Sequence, residues 1–133
     1  MSDKSTVLRA FNTHFFDFVD DIIKIFPEQS DIKYAKNSFS LIKQANPTAI
    51  IKVWYQYIYL KYKDVIDEGN ISFFFEKDYV DDVSYLSNSN EILTIIDTIR
   101  NPIKNMSDVN REHSKKYIQN LSRLSELYND FCK

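Results

Sequence analysis

"PTAIIKVWYQYIYLKYKDVIDEG", residues 47–69, is apolar on almost every side of a helical wheel. Ile50, Ile51, Val53, Trp54, Tyr55, Tyr57, Ile58, Leu60, Tyr62, Val65 and Ile66 cover it. A narrow strip remains, Lys52, Gln56, Tyr59 and Lys63, at steps of four, three and four. A helix so patterned is normally enclosed by other helices. The reading therefore places a helix over about 47–68 at the centre of the domain. Pro47 suits a first helical position, where its missing N–H costs nothing, and Asn46 before it is a candidate cap. Gly69 is expected just past the C-terminus, where a left-handed conformation ends a helix cheaply.

Working back from Pro47, Ser30 is a candidate N-cap for a helix over 31–45, with Asp31 favourable in its first turn. Its apolar positions are Ile32, Ala35, Phe39 and Ile42, with Leu41 beside them. Before it, Leu8, Phe11, Phe15, Phe18, Ile22 and Ile25 recur at steps of three and four, predicting a helix from after Ser5 to Phe26. Phe16, Val19, Ile23 and Phe26 widen that stripe, and Pro27 stops the helix.

Beyond Gly69 the pattern is less regular. Ile71 to Phe75 are β-prone, 78–86 could form a short helix on Tyr79, Val83 and Leu86, and "SNSN" (87–90) is a polar joint. Ile92, Ile95, Ile96 and Ile99 mark a further helix from Glu91, ended or kinked by Pro102. Ser107 and Asp108 open a last helix with the seam Tyr117, Leu121, Leu124, Tyr128 and Phe131. The sum is a single all-α domain over 1–133, a compact bundle of five to six helices around the central one.

The totals agree with that class. One glycine and three prolines in 133 residues are too few for the frequent turns of an all-β fold. Hydrophobic residues at 44% suffice for a core, and charged residues at 27% are ordinary, which argues against disorder. The net charge of −2 argues against a general phosphate-binding surface. Cys132 is the single cysteine, so neither an internal disulfide nor a Cys-rich zinc site can form. "MSDKSTVLRA" holds no apolar run of signal-peptide length, and no stretch is long and apolar enough for a membrane span. The expectation is a soluble protein of a reducing compartment, without a membrane partner.

Catalytic chemistry has few candidates. His14 and His113 are the two histidines, the first beside the apolar stripe of the first helix and the second one turn before Tyr117. One glycine cannot supply a phosphate-cradling loop, and no serine lies in a nucleophile-elbow context. The trio Asp17, Asp20 and Asp21 is echoed by Asp78, Asp81 and Asp82, but helical-bundle metal sites take Glu-x-x-His partners that are missing here. The expectation is no enzyme, no cofactor and no metal.

Two kinds of binding surface are left. "FFF" at 73–75 cannot face one core entirely, whether helical or extended. Phe73, Phe74 and Phe75, flanked by Tyr79 and Tyr85, are the candidate anchor for a protein partner, with burial in the core as the alternative. Lys52, Tyr59 and Lys63, with Arg111, Lys115 and Lys116 of the last helix, are the candidate nucleic-acid contacts, because aromatic faces beside cations suit single strands. Glu112 and Glu126 dilute the second group.

"FNTHFFDFVDDIIKIFPEQSDI" (11–32), "KQANPTAIIKVW" (43–54), "ISFFFEKDY" (71–79), "IRNPIKNMS" (99–107) and "KYIQNLSRLSELY" (116–128) together resemble small uncharacterised proteins of large DNA viruses, the phycodnavirus and mimivirus group. The resemblance covers nearly the whole chain. It implies a viral origin, an all-helical fold and a setting in the host cytoplasm or virus factory. It brings no catalytic residues. The function expected on both grounds is a non-enzymatic protein-interaction or structural module, self-associating or bound to a viral or host protein, with a place in the virion. The runner-up is a nucleic-acid-binding accessory factor in viral gene expression or genome packaging.

Overall fold

The structure, a computed structural model, describes residues 3–69 and 106–131. They are helical throughout apart from short joints, with no strand among them. Four rods are seen: α1 (Lys4–Ile25), α2 (Ser30–Ala45), a composite rod, and α5 (Asp108–Phe131). The composite rod runs through α3 (Ala49–Val53), a π-helical segment (Trp54–Tyr59) and α4 (Leu60–Glu68). The helices expected over 78–86 and from Glu91 lie outside the described residues.

α1 follows its apolar stripe, with Phe11, Phe15, Phe18, Val19 and Ile22 buried. It starts earlier than the spacing predicts, because the Asp3 carboxylate accepts the Thr6 N–H at 2.8 Å and caps the first turn. The chain then turns at Pro27. At α2 the cap is Gln29, without a side-chain capping bond, and Ser30 is already helical. Leu41 also departs from expectation: it faces solvent, as does Tyr34. At the next joint Asn46 Oδ1 accepts from the Thr48 N–H at 3.1 Å and the Thr48 hydroxyl at 2.8 Å. Regular helix begins at Ala49 instead of Pro47, since this tight turn spends the first residues. The buried Asn12 amide donates to the Pro47 carbonyl at 3.1 Å, which ties α1 to the turn.

The core is aromatic. Phe15 packs edge-on to Phe39 of α2 at 4.7 Å and to Trp54 at 6.3 Å, while Phe18 stacks on Tyr117 of α5 at 5.0 Å. α1 thus reaches every other described rod, and it shares the centre with the composite rod. The composite rod is enclosed mainly in its first half, where Ile50, Ile51, Val53, Trp54 and Ile58 are buried. Its second half buries Ile66 and partly buries Tyr62 and Val65, while Leu60, Lys61, Lys63 and Asp64 face outward.

α5 corrects the expected seam. Leu121 and Tyr128 are buried, Tyr117 and Leu124 only partly, and Phe131 is 43% exposed. The buried face is rotated toward Ser114, Ile118, Ser122 and Ser125. The reason is Trp54: its indole N–H donates to Ser122 Oγ at 2.9 Å. A small hydroxyl side chain gives both the room and the acceptor that a buried indole needs. Ser125 in turn donates to the Ser122 carbonyl at 2.7 Å.

Gly69 ends α4 in the left-handed region, φ 85°, as expected of the one glycine. Gln119 Nε2 donates to the Ile66 carbonyl at 2.9 Å, so α5 satisfies part of the α4 terminus. A Cβ at Gly69 would stand 3.3 Å from Lys115 Cδ, the stem of a flexible side chain. Gly69→Ala is therefore expected to cost about 1–2 kcal/mol, mostly from the left-handed backbone. Chemical denaturation checks it.

Candidate functional site

The site begins with one extra residue. In the π-helical segment the Leu60 N–H donates to the Tyr55 carbonyl, five residues back. A turn closed by such bonds holds roughly one residue more than an α turn. The residues directly after it are rotated by about one position, near 100°, until the non-helical backbone of Tyr62 (φ −123°, ψ 22°) kinks the rod again. On an unbroken α-helix Tyr59 joins the polar strip of Lys52, Gln56 and Lys63. Here Tyr59 is instead turned inward, 5% exposed, while Leu60 beside it is 53% exposed.

The inward Tyr59 hydroxyl donates to Glu126 of α5 at 3.1 Å. Burial, reinforced by that carboxylate, pushes its pKa up to about 12. The outward Leu60 edges a groove of about 420 Å³ between the composite rod and the C-terminal half of α5. Ile51, Lys52, Tyr55, Ser125 and Tyr128 also line it, and among the described residues the lining side chains include a lysine and no carboxylate. Asn129 Nδ2 donates to the Tyr55 hydroxyl at 3.1 Å, joining the two walls. Lys4 Nζ lies 5.5 Å from the centroid of the Tyr128 ring, which adds a second cation beside the groove.

No family model, curated protein or solved structure matches the chain. The groove must therefore be read from its own chemistry. It is an apolar slot with a cationic edge, suited to holding a side chain or a short helix.

The sequence-based candidates divide as follows. Lys52, Lys63 and Lys116 are exposed. Tyr59 is corrected: it is buried by the π turn and offers no ring to a base. Lys115 is largely covered and pairs with Glu112 at 2.6 Å, and Arg111 is partly buried. Lys52 and Lys63 lie on the composite rod while Lys116 lies on α5. Phe73, Phe74, Phe75, Tyr79 and Tyr85 lie outside the described residues, as does the second aspartate trio. Within the first trio, Asp20 pairs with Lys36 at 2.7 Å and Asp21 accepts the Tyr117 hydroxyl at 2.6 Å. Among the described residues no group of His, Cys, Asp and Glu stands together as a metal site. No described helix is long and apolar enough to cross a membrane.

The groove itself was not anticipated. Its signal is faint, because "WYQYIY" is apolar or aromatic at every position but Gln56, and one polar residue does not betray a π turn.

A second polar feature lies between α1 and α5. The His14 ring sits 4.7 Å from that of Tyr117, and its Nε2 is buried without a hydrogen-bond partner. Burial lowers the His14 pKa below 6.5, with Asp17 opposing the shift. Below about pH 6.5 the unfolded chain takes up a proton that folded His14 resists, so stability falls with pH until the lowered value is passed. Above about pH 7 this contribution is complete and flat. His14→Gln should flatten the slope of thermal midpoint against pH between about 7 and 5, leaving only the carboxylate contribution at lower pH.

Proposed function

We propose that this protein is a non-enzymatic interaction module that holds a protein partner in the groove beside the π-helical segment. The supporting observation is Leu60. The fold spends a rare backbone turn and leaves a leucine half in solvent at the edge of an apolar slot. π turns inside helices concentrate at functional positions, and an exposed leucine on a groove gains on being covered, at about 25 cal/mol per Å² of apolar surface. The polar groups behind the groove are already paired with each other, as Trp54 with Ser122 and Tyr55 with Asn129. They serve to fix the walls. The setting we propose is a large DNA virus, in the host cytoplasm or virus factory, with incorporation into the particle as a structural or accessory component.

The runner-up, a nucleic-acid accessory factor, is favoured by exposed Lys52 and Lys63 on one rod. It loses the stacking face of Tyr59.

Affinity capture from infected cells with the wild type and Leu60→Asp, beside retention of both on single-stranded DNA, separates the two. The interaction reading expects defined proteins captured by the wild type and lost from the variant, with the thermal midpoint unchanged. Single-stranded DNA binding with a steep salt dependence, indifferent to Leu60→Asp, would establish the runner-up instead.

A further inference from the structure

We propose that the groove receives an acidic amphipathic helix of a partner protein, an inference that rests on the interaction reading and specifies its partner. Shape comes first. From Ile51 to Leu60 the composite rod advances roughly 13 Å at about 1.5 Å per residue. That is the span of two helical turns. A helix laid in such a slot presents anchors at i, i+3 or i+4, and i+7. Ile51, Leu60 and the rings of Tyr55 and Tyr128 supply the apolar walls for those anchors.

Charge then selects the kind of helix. Lys52 lines the groove and is exposed, Lys4 stands over the ring of Tyr128, and among the described residues the lining includes no carboxylate. Glutamates or aspartates flanking the anchors would meet these cations, whereas lysines there would be repelled and left unpaired. The same argument disfavours a second copy docking through α2. There Tyr34 and Leu41 are exposed but share the helix with Lys33, Lys36 and Lys43. It brings cations to cations. The small span predicts a modest, micromolar interaction, since such an interface lies well below standard size.

The test uses the full-length protein and fluorescence anisotropy with three labelled peptides of about 14 residues, four helical turns. The first is an amphipathic helix with leucine anchors flanked by glutamate. The second is its twin with lysine for glutamate, and the third is the acidic peptide scrambled to destroy the apolar face. The acidic amphipathic helix should bind about tenfold or more tightly than either control, and Leu60→Asp should weaken it about tenfold. Lys52→Glu should narrow or reverse the preference between the charged twins. Both substitutions lie on exposed positions, and unchanged thermal midpoints confirm that the fold persists.

Equal binding of the twins would overturn the charge selection while leaving the interaction reading intact if Leu60→Asp still weakens both. Equal binding of the scrambled peptide would reduce the effect to nonspecific charge and overturn the proposal. Binding of none of the three would also overturn it, and the interaction reading would then be decided by the capture experiment. A concentration-dependent dimer dispersed by Leu60→Asp would name a second copy as the occupant and contradict the acidic-helix assignment.

Discussion

Trp54→Ala is expected to remove about 3–5 kcal/mol of stability, the range for deleting a buried aromatic side chain. Trp54 is completely buried, lies edge-on to both Phe11 and Phe15, and donates its indole proton to Ser122. The substitution opens a cavity at the meeting of α1, the composite rod and α5, and it leaves the Ser122 hydroxyl without its donor. A domain of this size holds about 5–15 kcal/mol in total, so the variant should lie near the edge of folding. Urea denaturation followed by far-UV circular dichroism measures the loss. Ser122→Ala isolates the polar part: it keeps the indole but removes the hydroxyl that accepts its N–H, at about 1–3 kcal/mol. A Trp54→Ala variant as stable as the wild type would mean that the composite rod does not pack as described.

Phe15→Ala should have an effect of similar size, about 3–5 kcal/mol, for a different reason. Phe15 is the ring through which α1 meets α2 at Phe39 and the composite rod at Trp54. Its neighbour Phe16 is only partly buried, with Lys43 Nζ over its ring at 5.3 Å. Phe16→Ala should therefore cost clearly less. The contrast between adjacent phenylalanines is sharper than either value alone, since composition and helix propensity change identically. Similar losses at both positions would contradict the facing of α1.

Much of this arrangement is written in the chain. The α1 stripe of Phe11, Phe15, Phe18 and Ile22 fixes one face because steps of three and four leave no competing phase. Pro27 and Gly69 punctuate by backbone geometry, Gly69 through its left-handed φ. What was hidden has physical causes. The buried face of α5 contains Ser114, Ser122 and Ser125. Serines carry no apolar weight, so the expected seam drifted toward Phe131. Ser30 has the chemistry of a cap, yet the chain enters α2 one residue earlier. The π segment is the deepest miss. Its aromatic run supplies apolar surface at every angle but that of Gln56, so little in the pattern opposes an extra residue in the turn. For the site, Lys52, Lys63 and Lys116 were legible as exposed cations. Tyr59 was not legible as buried, because its burial depends on that one turn.

The π register is thus the claim on which the groove, the partner and the fate of Tyr59 all depend. Thiol labelling tests it directly. In a Cys132→Ser background, cysteine is placed singly at Tyr59 and at Leu60, and the rate of labelling is compared in the native protein and in denaturant. The account predicts that Leu60→Cys labels natively at close to its denatured rate, while Tyr59→Cys is protected and reacts only through opening of the fold. Rapid native labelling at 59 as well as at 60 is the signature of an unbroken α-helix, in which Tyr59 shares the strip of Lys52, Gln56 and Lys63, and would contradict it.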